Sequence, residues 1–422
     1  MERHRPGGPF HPHAFRSPLR GPWLTSVLGL TLLVGLPLVA VTGLLSYASY
    51  DPALGFNDQT PDKGFLGFYF FSWPSSPSWL YRLNQGLHVE VGLVLIPVVL
   101  AKLWSVLPRL FAWPPIRSSA QLLERLSLLL LVGSILFELA TGVLNIQYWY
   151  DAFGFSFYTA HLYGGWVFIA AFTVHITLKL PAMLRGLGRL SFRRQLRVGV
   201  ETTVAEPPEP DGLAPGNPSP PTMSRRGLLG TVAGSGLALL VLSIGQTFDG
   251  PLRAIALLSP HGRDYGNGPN DFQVNITAAT AGIDPVLTGP DWRLEVQGRS
   301  TMMLTRAQLL ALPQTTVDLP IACVEGWSTT QTWTGVRFVD LSAAVGSDAA
   351  RTVFVESLQR GGAFSATTLS REQLTNPDAL LALRVNGADL SPDHGYPARL
   401  VIPGAPGVHC TKWVRRITFA GA

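Results

Sequence analysis

Long uninterrupted apolar stretches fill the first 250 positions and then give way to short alternating runs. Trp23–Ser46 carries no charge over 24 residues. At about 1.5 Å of rise per residue it is long enough for a helix to cross a bilayer's hydrocarbon. Leu83–Leu107, Leu122–Leu144 and Thr159–Leu180 are three further spans, and Gly227–Thr247 is a fifth. Ahead of the fifth lies Thr202–Pro221, whose Pro/Glu-rich composition predicts disorder. From Asp271 onward the period changes. Trp292–Val296, Thr315–Pro320, Thr352–Val355, Leu380–Val385 and Arg399–Ile402 predict strands divided by Gly and Pro turns. Amphipathic helices are predicted at Thr305–Ala311 and Phe338–Val345. The fold class is therefore a membrane α-helical part, a four-helix bundle plus one anchor helix, followed by an α+β domain of about 150 residues. The boundaries are a cytoplasmic tail at 1–22, a membrane domain at 23–182, a cytoplasmic linker at 183–226, the fifth helix at 227–247 and the folded domain at 269–422.

Composition supports the membrane assignment. Only 14% of the residues are charged and 47% are hydrophobic, where a soluble chain carries about a quarter charged. The net charge of +5 comes from arginine, with lysine at only four positions. No basic helix, stacking-aromatic pattern or zinc spacing accompanies it, so nucleic acid is excluded as a partner. The charge sorts by membrane side instead. Arg3, Arg5, Arg16 and Arg20, then Arg109 and Arg117, then Arg185, Arg189, Arg193, Arg194, Arg197, Arg225 and Arg226 fall on one side of a five-span topology. Asp51, Asp58, Asp62, Lys63 and Asp151 fall on the other, where Trp73, Trp79, Tyr148, Trp149 and Tyr150 make an aromatic belt. The expected location is the cytoplasmic membrane, with the amino terminus inside and the carboxy-terminal domain outside. Ser224–Leu229, S-R-R-G-L-L, resembles a twin-arginine export signal, and ordinary positive flanking of a span accounts for it equally well. No A-x-A cleavage site follows, so this span stays as an anchor.

Histidines inside apolar spans are costly and mark function by default. His88 lies early in the second span and His161 early in the fourth, both near the outer surface. Two imidazoles at equal depth are what a low-spin haem b needs. Hydrogen bonding between helices is the plainer use of the same residues. His175 lies fourteen residues beyond His161, but fourteen beyond His88 stands Lys102. The helical part resembles small four-helix cytochrome b modules, with at most one outer haem. Glu90 and Glu138 either take quinol protons or bond a haem histidine's second nitrogen, and snorkelling to the interface is the simpler role for Glu90.

Cys323 is one of two cysteines, too few for a disulfide framework or a C-x-x-C metal site. Placed where a strand ends, it is either a small buried hydrophobe or a thiolate ligand. C-V-E-G-W-S at Cys323–Ser328 with W-T-G-V after it, D-H-G-Y-P-A-R at Asp393–Arg399 and G-V-H-C-T-K-W at Gly407–Trp413 resemble three ordered segments of the sulfite oxidase superfamily. Within it the nearest likeness is to the catalytic subunits of bacterial protein-methionine-sulfoxide reductases. The resemblance implies molybdenum held by a molybdopterin dithiolene and by Cys323. It implies Asn270, Ser357, His394, Arg399, Cys410, Thr411 and Lys412 as cofactor contacts, with Arg399 and Lys412 facing the phosphate. It also implies two-electron oxygen-atom transfer on a small or protein-bound S- or N-oxide, with the quinone pool or a membrane electron carrier as partner. Ala322 stands where relatives carry arginine, which weakens a sulfite-oxidising alternative. Phe364 falls in the region of the sulfite oxidases' active-site tyrosine. A Cys323–Cys410 disulfide would abolish metal ligation. A metal-free binding or assembly protein is the alternative outside enzymes, and no inverted repeat supports a transporter.

Overall fold

The computed structural model describes residues 8, 14–60, 69–111, 118–152, 154–208, 212–248 and 250–421. Arg3, Arg5, Asp62, Lys63, Arg117 and most of the tail, used above for orientation, lie outside the described residues. Two compact units divide the chain: Met1–Ala40 with Glu90–Val241, and Val41–Val89 with Leu242–Ala422.

The long helices are α1 (Pro22–Ser49), α2 (Leu80–Leu110), α3 (Ser119–Ile146) and α4 (Phe157–Leu187). A short α5 (Phe192–Gln195) precedes α6 (Arg225–Thr247). Five are long and apolar enough to cross a membrane by length and composition. Each outruns its expected span. Ser118 and Ser156 explain two of the early starts, their side chains accepting from the backbone N–H of Gln121 and Thr159 as N-caps. Helix α4 also continues through Pro181 to Leu187. In the first unit Leu24, Leu28, Leu32 and Leu36, one face of α1, pack with Leu95 and Val98 of α2, Ile135 of α3 and Phe168 of α4. Lys102 donates to the Thr25 carbonyl at 2.6 Å.

Two expectations need correcting here. Glu90 is buried, 4% exposed, and does not snorkel. The segment expected to be disordered has fixed contacts within this unit. The Glu206 carboxylate accepts from the Trp23 N–H at 3.1 and 3.2 Å, and Leu213 and Ala214 are buried. A buried carboxylate at the start of α1 meets unpaired N–H groups and the positive end of the helix dipole, which composition alone does not reveal.

The second unit is built on two five-stranded sheets. In chain order its elements are β1 (Arg293–Gln297), β2 (Thr301–Thr305), α7 (Arg306–Ala311), β3 (Thr315–Ala322), β4 (Ser328–Arg337) and α8 (Phe338–Ala344). Then come β5 (Thr352–Ser357), β6 (Ala366–Ser370), α9 (Arg371–Thr375), β7 (Leu380–Val385), β8 (Ala388–Asp389), β9 (Arg399–Val401) and β10 (Val414–Ala420). One sheet runs β2-β1-β10-β5-β6, with β1 and β10 parallel. The other runs β3-β4-β7-β8, with β9 also on β7. Leu294, Val355, Phe338, Leu381 and Ile417 are among the fully buried residues of the main core. A second core at Leu319, Ile321, Trp333, Leu380 and Val401 lies behind the second sheet's motif strands. The predicted strands and helices all appear, and α7 and α9 begin in capping boxes at Thr305 and Ser370. β2, β4, β6, β8, β10 and α9 add to what the pattern predicted.

The connection after α1 belongs to this unit and is stitched to it. The Trp73 indole donates to the Gly404 carbonyl at 2.8 Å, and Asn57 pairs with the backbone of Thr368 at 2.9 Å in both directions.

Candidate molybdenum and pterin site

Cys323 follows β3 directly, at the tip of the β3–β4 hairpin. Its N–H donates to the Trp327 carbonyl at 2.9 Å, and the Gly326 N–H returns to the Cys323 carbonyl at 3.0 Å. Gly326 closes this turn at φ +91°, a conformation that costs a side chain dearly. β3 is an edge strand, so Pro320 removes no central ladder bond. Cys323 is buried and free, as is Cys410, so no disulfide links them. Burial pushes the Cys323 thiol well up, and the neighbouring Glu325 carboxyl adds to the effect. A thiolate there requires a cation to bind it.

The D-H-G-Y-P-A-R segment makes a 3-10 turn at Pro392–His394, capped by the Ser391 side chain. Gly395 follows at φ +101°, and a Cβ there would stand about 3 Å from the Cβ atoms of both Lys412 (3.0 Å) and Arg399 (3.1 Å). A glycine is therefore what lets the two cations converge. His394 stacks on Phe272, centroids 3.7 Å apart, and Nε2 lies 2.9 Å from the Asn270 carbonyl. Burial, helped by Arg399, pushes His394 down to about 3, so the ring is neutral. A carbonyl can only accept, so Nε2 carries the proton and Nδ1 is left as an acceptor.

Lys412 is buried, and Nζ donates only to backbone carbonyls, Ile276 at 2.8 Å and Asp393 at 2.7 Å. Arg399 is buried too, donating to the carbonyls of His394 (3.2 Å) and Cys410 (3.3 Å) while its Nε has no partner. Burial drives Lys412 well below the ordinary lysine range, with Arg399 adding repulsion, and holds Arg399 at about 10. Among the described residues neither forms an ion pair. Two buried cations without an anion are expensive. Thr411 Oγ1, His409 Nδ1 and Trp327 Nε1 are likewise buried without partners. Such a set suits an anionic ligand rich in hydrogen-bonding atoms, and it fits a pterin phosphate: Arg399 and Lys412 for the charge, Thr411, Trp327 and His394 for the polar edges. Among the described residues no cluster of three or more His, Cys, Asp or Glu could hold a metal.

The cleft is lined by Trp327, Thr329, His394, Arg399 and Lys412, with Gln273 and Asn275 on the approaching loop. Asn270 and Ser357 do not line it. The Asn270 side chain bonds the backbone of Asp389 and Ser391, and the Ser357 hydroxyl donates to the Lys412 carbonyl at 2.7 Å. Both brace the loops that carry cleft residues. Cys410 packs in the second core. Gln273, Asn275 and Thr329 were not singled out from sequence, because short polar side chains on loops carry no spacing signal. Phe364 lies half-buried on the β5–β6 loop.

His88 and His161 lie in different units. His161 Nδ1 lies 2.9 Å from Thr141 Oγ1 and 3.2 Å from Glu138 Oε2, and His88 Nδ1 lies 3.4 Å from Thr42 Oγ1.

Residues 281–422 match the oxidoreductase molybdopterin binding domain. This part of the chain is thus a molybdopterin-binding oxidoreductase domain of the sulfite oxidase superfamily. Among similar proteins is a barley (Hordeum vulgare) nitrate reductase [NAD(P)H], 36% identical over 104 residues, 22% of this chain and 12% of that protein. The spinach (Spinacia oleracea) nitrate reductase [NADH] is 48% identical over 59 residues, 14% of this chain and 6% of that protein. The chain therefore spans only a small part of these relatives' length. Among solved structures, the sulfane dehydrogenase SoxCD of Paracoccus pantotrophus is 27% identical over 31% of this chain and 38% of that one, with a TM-score of 0.29.

Buried neutral histidines give the domain an acid limit. Burial lowers His409 and His261 each to about 4 and His394 to about 3. Below pH 6.5 the unfolded chain takes up protons that the folded chain refuses, so stability is full above 6.5 and is lost as pH falls toward 4. His409→Gln should flatten the loss between pH 7 and 4 by about 3 kcal/mol. Chemical denaturation at a series of pH values measures it, and an unchanged slope refutes it.

Proposed function

We propose that the chain is a membrane-anchored molybdopterin-dependent oxidoreductase that carries out two-electron oxygen-atom transfer, reducing an S- or N-oxide, small or protein-bound. The observation that carries this reading is the pair of buried cations without counter-ions, Arg399 and Lys412, opening on one cleft beside a free buried thiol. When bound, the molybdenum–pterin group would supply the two-electron couple and the site of oxygen transfer. Cys323 would be its protein ligand, Arg399 and Lys412 would hold the phosphate, and His394 would offer Nδ1 to a pterin N–H. Ile321 and Trp327, on either side of Cys323 in the chain, line the cleft, and the thiol itself is buried. The names of the plant relatives, nitrate reductases, favour the reductive direction on an N–O oxygen. Ala322 lacks the charge that would hold a sulfite dianion. An intact Cys323, Arg399 and Lys412 speak against a metal-free assembly protein.

The membrane part of the reading has the five apolar helices spanning the cytoplasmic membrane, the amino terminus inside and the catalytic domain outside. A haem b, with His88 and His161 as the candidate ligands that the sequence offers, would pass single electrons from the quinone pool. In both residues Nδ1 is engaged by a threonine hydroxyl, and in His161 also by Glu138, as in a metal-ligating imidazole whose outer nitrogen is held.

Elemental analysis of protein purified from membranes, with a panel of sulfoxides, N-oxides, nitrate and sulfite, tests the main claim. Absence of molybdenum sinks it. His161→Ala should remove the Soret band of a b-type spectrum while leaving molybdenum in place. Wild-type protein without a Soret band eliminates the haem and leaves the molybdenum reading standing.

A further inference from the structure

The turn that carries Cys323 is held from outside the sheet. Its closing bond, Gly326 N–H to Cys323 carbonyl, makes Val324–Glu325 the central peptide of a β-turn. The carbonyl of that peptide, Val324 O, accepts from Gln85 Nε2 of α2 at 2.6 Å. Because the carbonyl can only accept, the amide's orientation is fixed, and its Oε1 accepts in turn from Ser46 Oγ of α1 at 2.7 Å. Gln85 and Ser46 are both buried. A buried glutamine in an apolar helix needs such partners.

The rest of the same helical face faces the same turn. Tyr81, four residues before Gln85, packs in a cluster with Ala322, the residue before the thiol. Its hydroxyl is buried, with Tyr50 and Ser46 close by. Val89, four residues after Gln85, abuts Gly326, where an added Cβ would come within 2.9 Å of it. The spacing 81, 85, 89 is one stripe of an α-helix. Helix α6 secures the far end, Thr247 donating to the Gly326 carbonyl at 2.8 Å.

We propose that Gln85 is a positioning residue of the oxidoreductase site: it pins the central peptide of the Cys323 turn, so that the first turns of α2 belong to that site. β-Turns interconvert by flipping this peptide. Flipping it here would break the Gln85 bond and leave the Val324 carbonyl buried without a donor. The bond therefore selects one turn conformation and with it one direction for the thiol. This deepens the molybdenum reading and rests on it for the metal's part only.

The test uses the full chain in detergent, with Gln85→Met, which keeps the volume and removes the donor, and Ser46→Ala, which frees the amide to rotate. In protein prepared without cofactor, alkylation of Cys323 should rise about five- to tenfold in Gln85→Met, with Cys410 of the same molecule as the reference. Exchange of the Gly326 amide should rise with it. Ser46→Ala should move both in the same direction by less. In molybdenum-loaded protein the thiolate-to-metal charge-transfer band should shift at unchanged metal content. Unaltered Cys323 alkylation and Gly326 exchange in both variants overturn the proposal, and Ser46→Ala decides alone if Gln85→Met does not accumulate. A chain without molybdenum would remove only the optical readout, and the thiol and exchange measurements would still judge Gln85.

Discussion

Cys323→Ser should abolish turnover, by a thousandfold or more, equivalent to about 4 kcal/mol of transition-state stabilisation. Molybdenum–thiolate absorption should vanish with it. A serine hydroxyl is a far poorer soft-metal ligand than the thiolate it replaces. The fold should survive. The site is buried at the tip of a hairpin, and the new hydroxyl has the Glu325 side chain as a partner, so the stability cost should stay within about 2 kcal/mol. Full turnover in this variant refutes the ligand assignment. Loss of insertion or of the folded domain would instead show a structural thiol.

Lys412→Met should act in opposite directions on the empty and the loaded protein. Without an anion the lysine is a buried charge facing carbonyls and a second cation, Arg399. Replacing it with an apolar side chain of similar length should leave the cofactor-free protein as stable or up to about 4 kcal/mol more stable. The same change should strip the protein of cofactor. The pH dependence carries the same sign. Lysine lowered by burial binds its proton less readily folded than unfolded, so the cofactor-free protein gains stability as pH rises toward the ordinary lysine range. That gain should be absent in Lys412→Met. Denaturant titrations at pH 7 and 9, with pterin measured separately, check both halves. A variant that is strongly destabilised but still loads cofactor contradicts the anion-site argument.

Much of this was legible before the fold. Five apolar runs are a strong signal because a bilayer demands their length, and each became a helix. Cys323 falls one residue beyond β3 because the alternation of Thr315–Pro320 ends in a turn glycine two residues on from Val324. The strand β4 overlaps the segment read for chemistry around Cys323, and β10 begins one residue after the motif that ends at Trp413; neither alternates cleanly enough to stand out. Asn270 and Ser357 show the limit of a motif. It marks them as important, but only the hydrogen bonds reveal that they brace Ser391 and Lys412 rather than reach into the cleft. Gln85 carried a faint signal, a polar group in an apolar span. Its target is 239 residues away in sequence, and no local pattern records such a pairing.

The parallel pairing of β1 with β10 has a consequence for biosynthesis. β10 lies in the middle of its sheet, flanked by β1 and β5. On the ribosome, residues 293–370 therefore emerge as two half-sheets with exposed edges and a gap between them. Sheet closure, and the pinning of Lys412 and Trp413 beside it, must wait until residues 414–420 have been made, long after the helices have left the tunnel. Trimming or tagging within that strand should thus cost the domain its assembly rather than merely fray an end.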